Sequence, residues 1–236
     1  MYDRLLKLIS QDELKLLNDL NILLVGVGGV GGYALETLAR MGVLNFTIID
    51  HDKIDQSNLN RQIISLNSNI GNYKVDEFKN RLLDINPNIN IIAKKEFIDK
   101  NNIETLFKTK YDFIIDACDT VTTKVLLIKY AKLNNIKIIS CMGTGNRFDP
   151  TKLSITDIYK TNYDPLSKIM RKLLKEENIK KQDVIYSSEI PVKVKNRVNG
   201  STSLVPSVAG VYCAYYVIKN TLGWGSNNDE YRWRIS

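Results

Sequence analysis

The residues with the clearest chemistry lie in the first half of the chain. Gly26, Gly28 and Gly31 fit the pattern G-x-G-x-x-G, with Gly29 inside it. In such a loop the first glycine permits a tight turn, the second lets a phosphate approach the backbone, and the third lets a helix pack closely on a strand. The N–H groups at the start of the following helix then face an anion. Asp50 lies 24 residues beyond Gly26. An acid at that distance accepts hydrogen bonds from ribose hydroxyls, and Asp52 could share the task. Up to this point NAD and ATP fit equally well.

The residues that separate them come next. Asn58, Leu59, Asn60, Arg61 and Gln62 form a polar cluster, and Lys74 and Arg81 follow on one helix. Two further cations suit a triphosphate better than a dinucleotide pyrophosphate, which its loop usually handles alone. Arginine grips phosphate through two N–H groups, and lysine supplies a compact charge. Asp116, Ala117, Cys118 and Asp119 then end a strand. A carboxylate there is placed to hold Mg²⁺ against phosphate oxygens. We expect Asp119 to be that ligand and Asp116 to be structural, as a cap of the helix that follows.

These residues need a frame, and the pattern of apolar residues supplies one. Residues 3–18 read as one or two short helices, 21–25 as a buried strand, 30–41 as a helix and 46–50 as a second strand. Strand, glycine loop, helix and strand make one βαβ unit. The alternation continues with a helix over 74–85, a strand over 89–94, a helix over 101–108, a strand over 113–116, a helix over 122–133 and a strand over 137–140. It predicts an α/β fold: a Rossmann-like, doubly wound, mainly parallel sheet with an elaborated C-terminal segment. In that segment, 153–158, 184–188 and 192–194 read as strands, 164–177 as a basic helix and 205–222 as a long buried helix. With no flexible linker and no repeat, residues 1–236 read as a single domain. Residues 1–145 form its nucleotide-binding part, and 146–236 the elaborated remainder.

Composition excludes several classes. No apolar run approaches the ~20 residues that span a membrane, and no signal peptide is evident. The three cysteines, Cys118, Cys141 and Cys213, lack the CxxC spacing of thiolate zinc sites and read as packing residues. A cytoplasmic protein with reduced thiols follows. The only histidine, His51, sits beside Asp50, where a structural or ribose-side role suits it. The formal net charge of +7 suits a polyanionic partner. Its densest stretch is 168–181, with Lys168, Arg171, Lys172 and Lys175; Lys193, Lys195 and Arg197 follow.

The whole chain resembles the E1-like adenylyltransferase superfamily that includes ThiF and MoeB. The residues that carry the resemblance are Arg4, the loop 26–32, Asp50 to Asp52, Ser57 to Gln62, Gly71 with Lys74, Arg81, Ile85 to Pro87 and Asp116 to Asp119. The resemblance implies that Asp50 binds ribose, that Asn58, Arg61 and Lys74 contact phosphates, and that Asp119 serves Mg²⁺. It also implies that Arg4 reaches the active site of a second subunit, so a homodimer is expected. Beyond Cys141 the chain is similar to the tRNA threonylcarbamoyladenosine dehydratase branch, through Cys141 to Arg147, Asp149-Pro150, Asp157 to Thr161, Asp164 to Leu166, Met170-Arg171 and Tyr186 to Pro191.

The activity so implied is ATP-dependent. The free carboxylate of threonylcarbamoyladenosine in tRNA is adenylylated, and the nucleoside then cyclises with loss of AMP. Arg4, Arg61, Lys74 and Asp119 would be the catalytic set, and the basic residues from Lys168 to Arg197 the tRNA surface. A monovalent cation and a sulfur-relay protein are further candidate partners. Activation of a ubiquitin-like sulfur carrier is the nearest alternative, and the missing CxxC pairs count against it. An NAD(P)-dependent oxidoreductase would account for the glycine loop and Asp50 but not for Asn58 to Lys74. A tRNA-binding protein without activity is the third reading.

Overall fold

The computed structural model describes residues 1–194 and 199–224. Lys195 and Arg197 lie outside the described residues. The chain opens with a short 3-10 turn, Leu5–Lys7, and then helix α1, Gln11–Asn18. Ser10 caps α1: its hydroxyl accepts from the Glu13 N–H while the Glu13 carboxylate accepts from the Ser10 N–H, the reciprocal pairing of a capping box. Strand β1 (Asn21–Val25), helix α2 (Gly31–Arg40) and strand β2 (Asn45–Ile49) follow, then α3 (Lys74–Ile85) and β3 (Asn90–Lys94). The order continues with α4 (Ile103–Leu106), β4 (Phe113–Asp116), α5 (Val121–Leu133) and β5 (Lys137–Cys141). It ends with β6 (Leu153–Asp157), α6 (Pro165–Glu176), β7 (Asp183–Ser187) and α7 (Leu204–Leu222).

One seven-stranded sheet runs β3-β2-β1-β4-β5-β7-β6. Each neighbouring pair is parallel except β6 with β7. The sheet is buried on both faces, which explains the unbroken apolar runs of its central strands. Ile22 and Leu24 face a core built with α1, α2, α3 and α7, whereas Leu23 and Val25 face a core built with α4, α5 and α6. The chain leaves β1 toward β2 and β3, then returns to place β4 on the other side of β1. Ligands in open α/β sheets bind outside the strand carboxyl ends at such a reversal.

Two expectations change. The helix expected over 101–108 is the single turn of α4, because Ile103 and Leu106 alone offer buried apolar side chains there and charged or polar residues surround them. Residues 192–194 are not a strand. Pro191 has no N–H to give to a ladder, and the Val192 N–H donates to the Asn146 carbonyl instead. Among the described residues no helix is long and apolar enough to cross a membrane.

Candidate active site

At the carboxyl ends of β1, β2 and β4 lies an open cleft of about 290 Å³. Its floor is the glycine loop. Gly26 adopts φ +90°, and a Cβ there would sit 2.7 Å from the Ala117 carbonyl oxygen. A Cβ on Gly31 would sit 1.8 Å from the Gly26 oxygen, so both ends of the loop exclude any side chain. Gly28 differs, because its nearest obstacle is the Gln62 amide at 3.6 Å. Its bare backbone is turned toward the cleft, with Gly29 beside it.

Asp50 follows the end of β2. Its carboxylate accepts N–H bonds from Val27 and from Asp52, both at 2.9 Å. Burial pushes the Asp50 carboxyl up from its ordinary value, against the pull of Lys74 and of those two N–H bonds. Asp52 does something else. It holds the Lys74 ammonium at 2.7 Å, and His51 at 3.4 Å. Lys74 is almost wholly buried, at the first turn of α3, and it also lines the cleft. The His51 ring packs edge-on against Phe97.

The polar cluster expected from sequence forms one wall. Asn58, Arg61 and Gln62 all line the cleft. The Asn58 side chain accepts from the Asp55 N–H and closes a tight turn. Arg61 donates to the Ser57 carbonyl and to the Asn60 side chain. Gln62 is buried, and its Oε1 has no partner among the described residues. Asp119 stands exposed at the opposite wall, where among the described residues its side chain accepts a hydrogen bond only from the Thr120 hydroxyl, at 3.4 Å. That leaves carboxylate lone pairs free toward the cleft. A hard divalent cation bound through one carboxylate and substrate phosphates fits this donor set.

Several expected residues lie elsewhere. Arg81 does not join the cleft. It is bound to Glu36 of α2 at 2.7 Å, together with Arg40, because a buried carboxylate needs compensating charge more than a solvated triphosphate does. Asp116 is structural, yet it caps no helix; it is fully buried and paired with Lys124 of α5. Arg4 is exposed and does not line the cleft. Its neighbour Tyr2 accepts from Asn86 and packs near Gly42, beyond the ends of α3 and α2, at the amino ends of the strands. On α6, Lys168, Lys172 and Lys175 are exposed. Arg171 is not part of that exposed row: its guanidinium is tied to the Thr161 carbonyl and hydroxyl. Lys193 is exposed in the segment after β7.

The cleft also includes residues that sequence reasoning missed. Phe97 and Ile98 come from the segment after β3, Thr144 from after β5, and Ser201 and Pro206 from around the start of α7. Thr144 falls in the stretch Cys141 to Arg147 that carries the resemblance, but no local pattern assigns any of these residues to the cleft, since each reaches it only through packing. Cys118 lines the cleft too, and burial together with Asp116 pushes its thiol well up. Cys141 and Cys213 are buried.

Comparison with known proteins shows the family and the fold. The ThiF family model matches residues 2–236. A tRNA threonylcarbamoyladenosine dehydratase of Bacillus subtilis is 38% identical over 232 residues, covering 91% of each chain. One from Escherichia coli is 37% identical over 208 residues, covering 88% of this chain and 76% of that one. The crystal structure of the E. coli dehydratase TcdA in complex with ATP superposes with a TM-score of 0.88 at 32% identity, covering 94% of this chain and 93% of that one. The chain therefore belongs to the ThiF family, within its branch of tRNA threonylcarbamoyladenosine dehydratases.

Proposed function

We propose that the protein is an ATP-dependent dehydratase of threonylcarbamoyladenosine in tRNA. One observation carries the reading: Gly28, Asp50, Arg61, Gln62, Lys74 and Asp119, from separate stretches of chain, line a single cleft at the sheet's reversal point. The loop N–H groups and the start of α2 suit the phosphates. Asp50, held by two backbone N–H groups, suits the ribose. Lys74 and Arg61 supply positive charge, and Asp119 is the residue that would hold Mg²⁺. When bound, Mg²⁺ would neutralise phosphate charge.

In the first step a carboxylate oxygen of the nucleoside attacks the α-phosphorus, and pyrophosphate leaves with the electron pair of the broken P–O bond. Lys74 and Arg61 stabilise charge moving onto it. In the second step the neighbouring carbamoyl group attacks the activated carbonyl, loses its proton, and AMP leaves. The net loss from the nucleoside is one water. The nucleophile belongs to the same molecule, so proximity supplies the rate and no protein thiol is required. The protonated state favoured for Cys118 agrees with this.

Asp52 is better read as the partner of Lys74 than as a second ribose ligand. Arg4 acts on the cleft of a second subunit in a homodimer; its place at the far end of the sheet supports that reading. Residues 1–145 supply most of the nucleotide cleft. The part beyond 145 adds Ser201 and Pro206 to the cleft and carries the row Lys168, Lys172 and Lys175 for tRNA phosphates. A tRNA substrate implies a cytoplasmic place of action.

The test is ATP–pyrophosphate exchange with modified tRNA, unmodified tRNA and a sulfur-carrier protein, followed by mass analysis of the tRNA nucleosides. Exchange with modified tRNA alone, with loss of one water from its nucleoside, is the expected result. Exchange with the carrier alone would move the protein to sulfur transfer.

A further inference from the structure

Behind the cleft lies a buried polar cluster that the steps above do not use. Asp116, the last residue of β4, and Lys124, in the first turns of α5, are both fully buried. The Lys124 ammonium donates to Asp116 Oδ1 at 3.1 Å and to the Cys141 carbonyl, at the end of β5, at 2.7 Å. The Cys118 thiol donates to the same Asp116 oxygen at 3.1 Å. Asp116 stands in register with Val25 at the end of β1, and the Ala117 N–H donates to the Val25 carbonyl at 2.9 Å. One lysine thus joins the ends of β4 and β5 beside the end of β1.

The short turn 117–120 spans the gap between Asp116 and α5, and Asp119 is its exposed member. Both ends of the turn are therefore anchored by the one ion pair. Burial disfavours the Lys124 ammonium, but the facing Asp116 side chain outweighs it and raises its pKa. A buried ion pair is seldom the most stable way to fill a core, because well-packed apolar residues often do as well. Its placement directly behind the cleft calls for another reason.

We propose that Lys124 is a positioning residue: through Asp116 it fixes the turn 117–120, and so holds the Asp119 carboxylate at the rim of the cleft. The proposal rests on the reading of Asp119 as the residue that would hold Mg²⁺. Its test uses three variants of the full chain: Lys124→Met, the near-isosteric Asp116→Asn, and the double variant Lys124→Met with Asp116→Leu. Thermal midpoint, ATP affinity with and without Mg²⁺, and kcat and KM for modified tRNA are measured on each.

The expected result is a split. In every variant that folds, Mg²⁺ no longer tightens ATP binding, and kcat falls on the order of 10²-fold while KM for tRNA changes little, as a displaced reacting geometry does. The double variant, relieved of both charges, recovers its midpoint but not its kcat. A double variant with wild-type midpoint, kcat and Mg²⁺ response would overturn the proposal. If the double variant does not fold, Asp116→Asn decides: wild-type kcat and Mg²⁺ response in that variant overturn it alone. If the wild type tightens on ATP with Mg²⁺ but does not convert modified tRNA, the dehydratase reading falls while the ATP-binding arm still judges Lys124. If Mg²⁺ does not tighten ATP binding by the wild type, both Asp119 as metal residue and the role of Lys124 fall.

Discussion

At Lys74 an almost wholly buried ammonium meets one carboxylate oxygen of Asp52, while its side chain lines the cleft. Asp52 keeps that charge compensated. Lys74→Met should lower the exchange rate by about 10²-fold, the usual loss when a group that stabilises developing charge is removed. Exchange kinetics beside an ATP titration check this. Arg81 should behave in the opposite way. Burial raises the Glu36 carboxyl, but hydrogen bonds and charge from Arg81 and then Arg40 outweigh it and leave its pKa lowered. A carboxylate with a depressed folded pKa adds stability above its unfolded value, and that stability is lost as pH falls through the folded value. Arg81→Met should therefore cost about 1 kcal/mol near neutral pH, the scale of a partly exposed ion pair. That is a drop of about 2–4 °C in thermal midpoint for a chain of this length. The deficit should shrink in acid below the ordinary carboxylate range, and ATP affinity should be unchanged. Weaker ATP binding by Arg81→Met would return this residue to the cleft.

At the scale of elements, α7 matters as much as the glycine loop. It lies on α2, and a Cβ on Gly210 would come within 2.2 Å of the Val30 carbonyl and 2.8 Å of the Tyr33 side chain. Backbone lies against backbone at the residue that leads into α2, so the helix from the C-terminal third supports the nucleotide loop directly. Gly210→Ala should force the two helices apart and cost about 1–3 kcal/mol, as overpacking of a tight core does. ATP affinity should fall with it, because the displaced segment carries the phosphate loop. Calorimetry with and without ATP reads both effects. An unchanged midpoint would show that the helices can separate freely.

At the scale of the molecule, the cleft and Arg4 lie at opposite ends of the sheet. If Arg4 serves the cleft of a second subunit, mixing two inactive variants, Arg4→Ala and Lys74→Met, should restore activity. Random exchange of subunits leaves one intact site in each mixed dimer, or about a quarter of wild-type activity in the whole mixture. No recovery after verified subunit exchange would refute action between subunits. The row Lys168, Lys172 and Lys175 recurs with the spacing of one helical face. Reversing all three charges should weaken tRNA binding and flatten its salt dependence by about one unit of slope for each phosphate no longer neutralised. ATP affinity should not change.

The sequence determined the order of elements and half of the cleft, because both rest on local chemistry. The glycine loop, Asp50 and the cluster from Asn58 to Gln62 are readable from spacing: a turn, a strand end and a helix start each fix where a residue must point. Asp119 was legible for the same reason. Tertiary structure alone decided the rest. Arg81 and Lys74 share one helix, and only packing showed that one meets Glu36 while the other meets Asp52 and the cleft. Thr144, Ser201 and Pro206 enter the site more than a hundred residues after the glycine loop, through sheet order and the return of α7. Lys124 did leave a trace. It falls in phase with Leu127, Ile128 and Ala131 on the inward stripe of α5, where a lysine needs a buried partner. That partner, Asp116, lies on another element, and periodicity describes one helix face without saying what faces it.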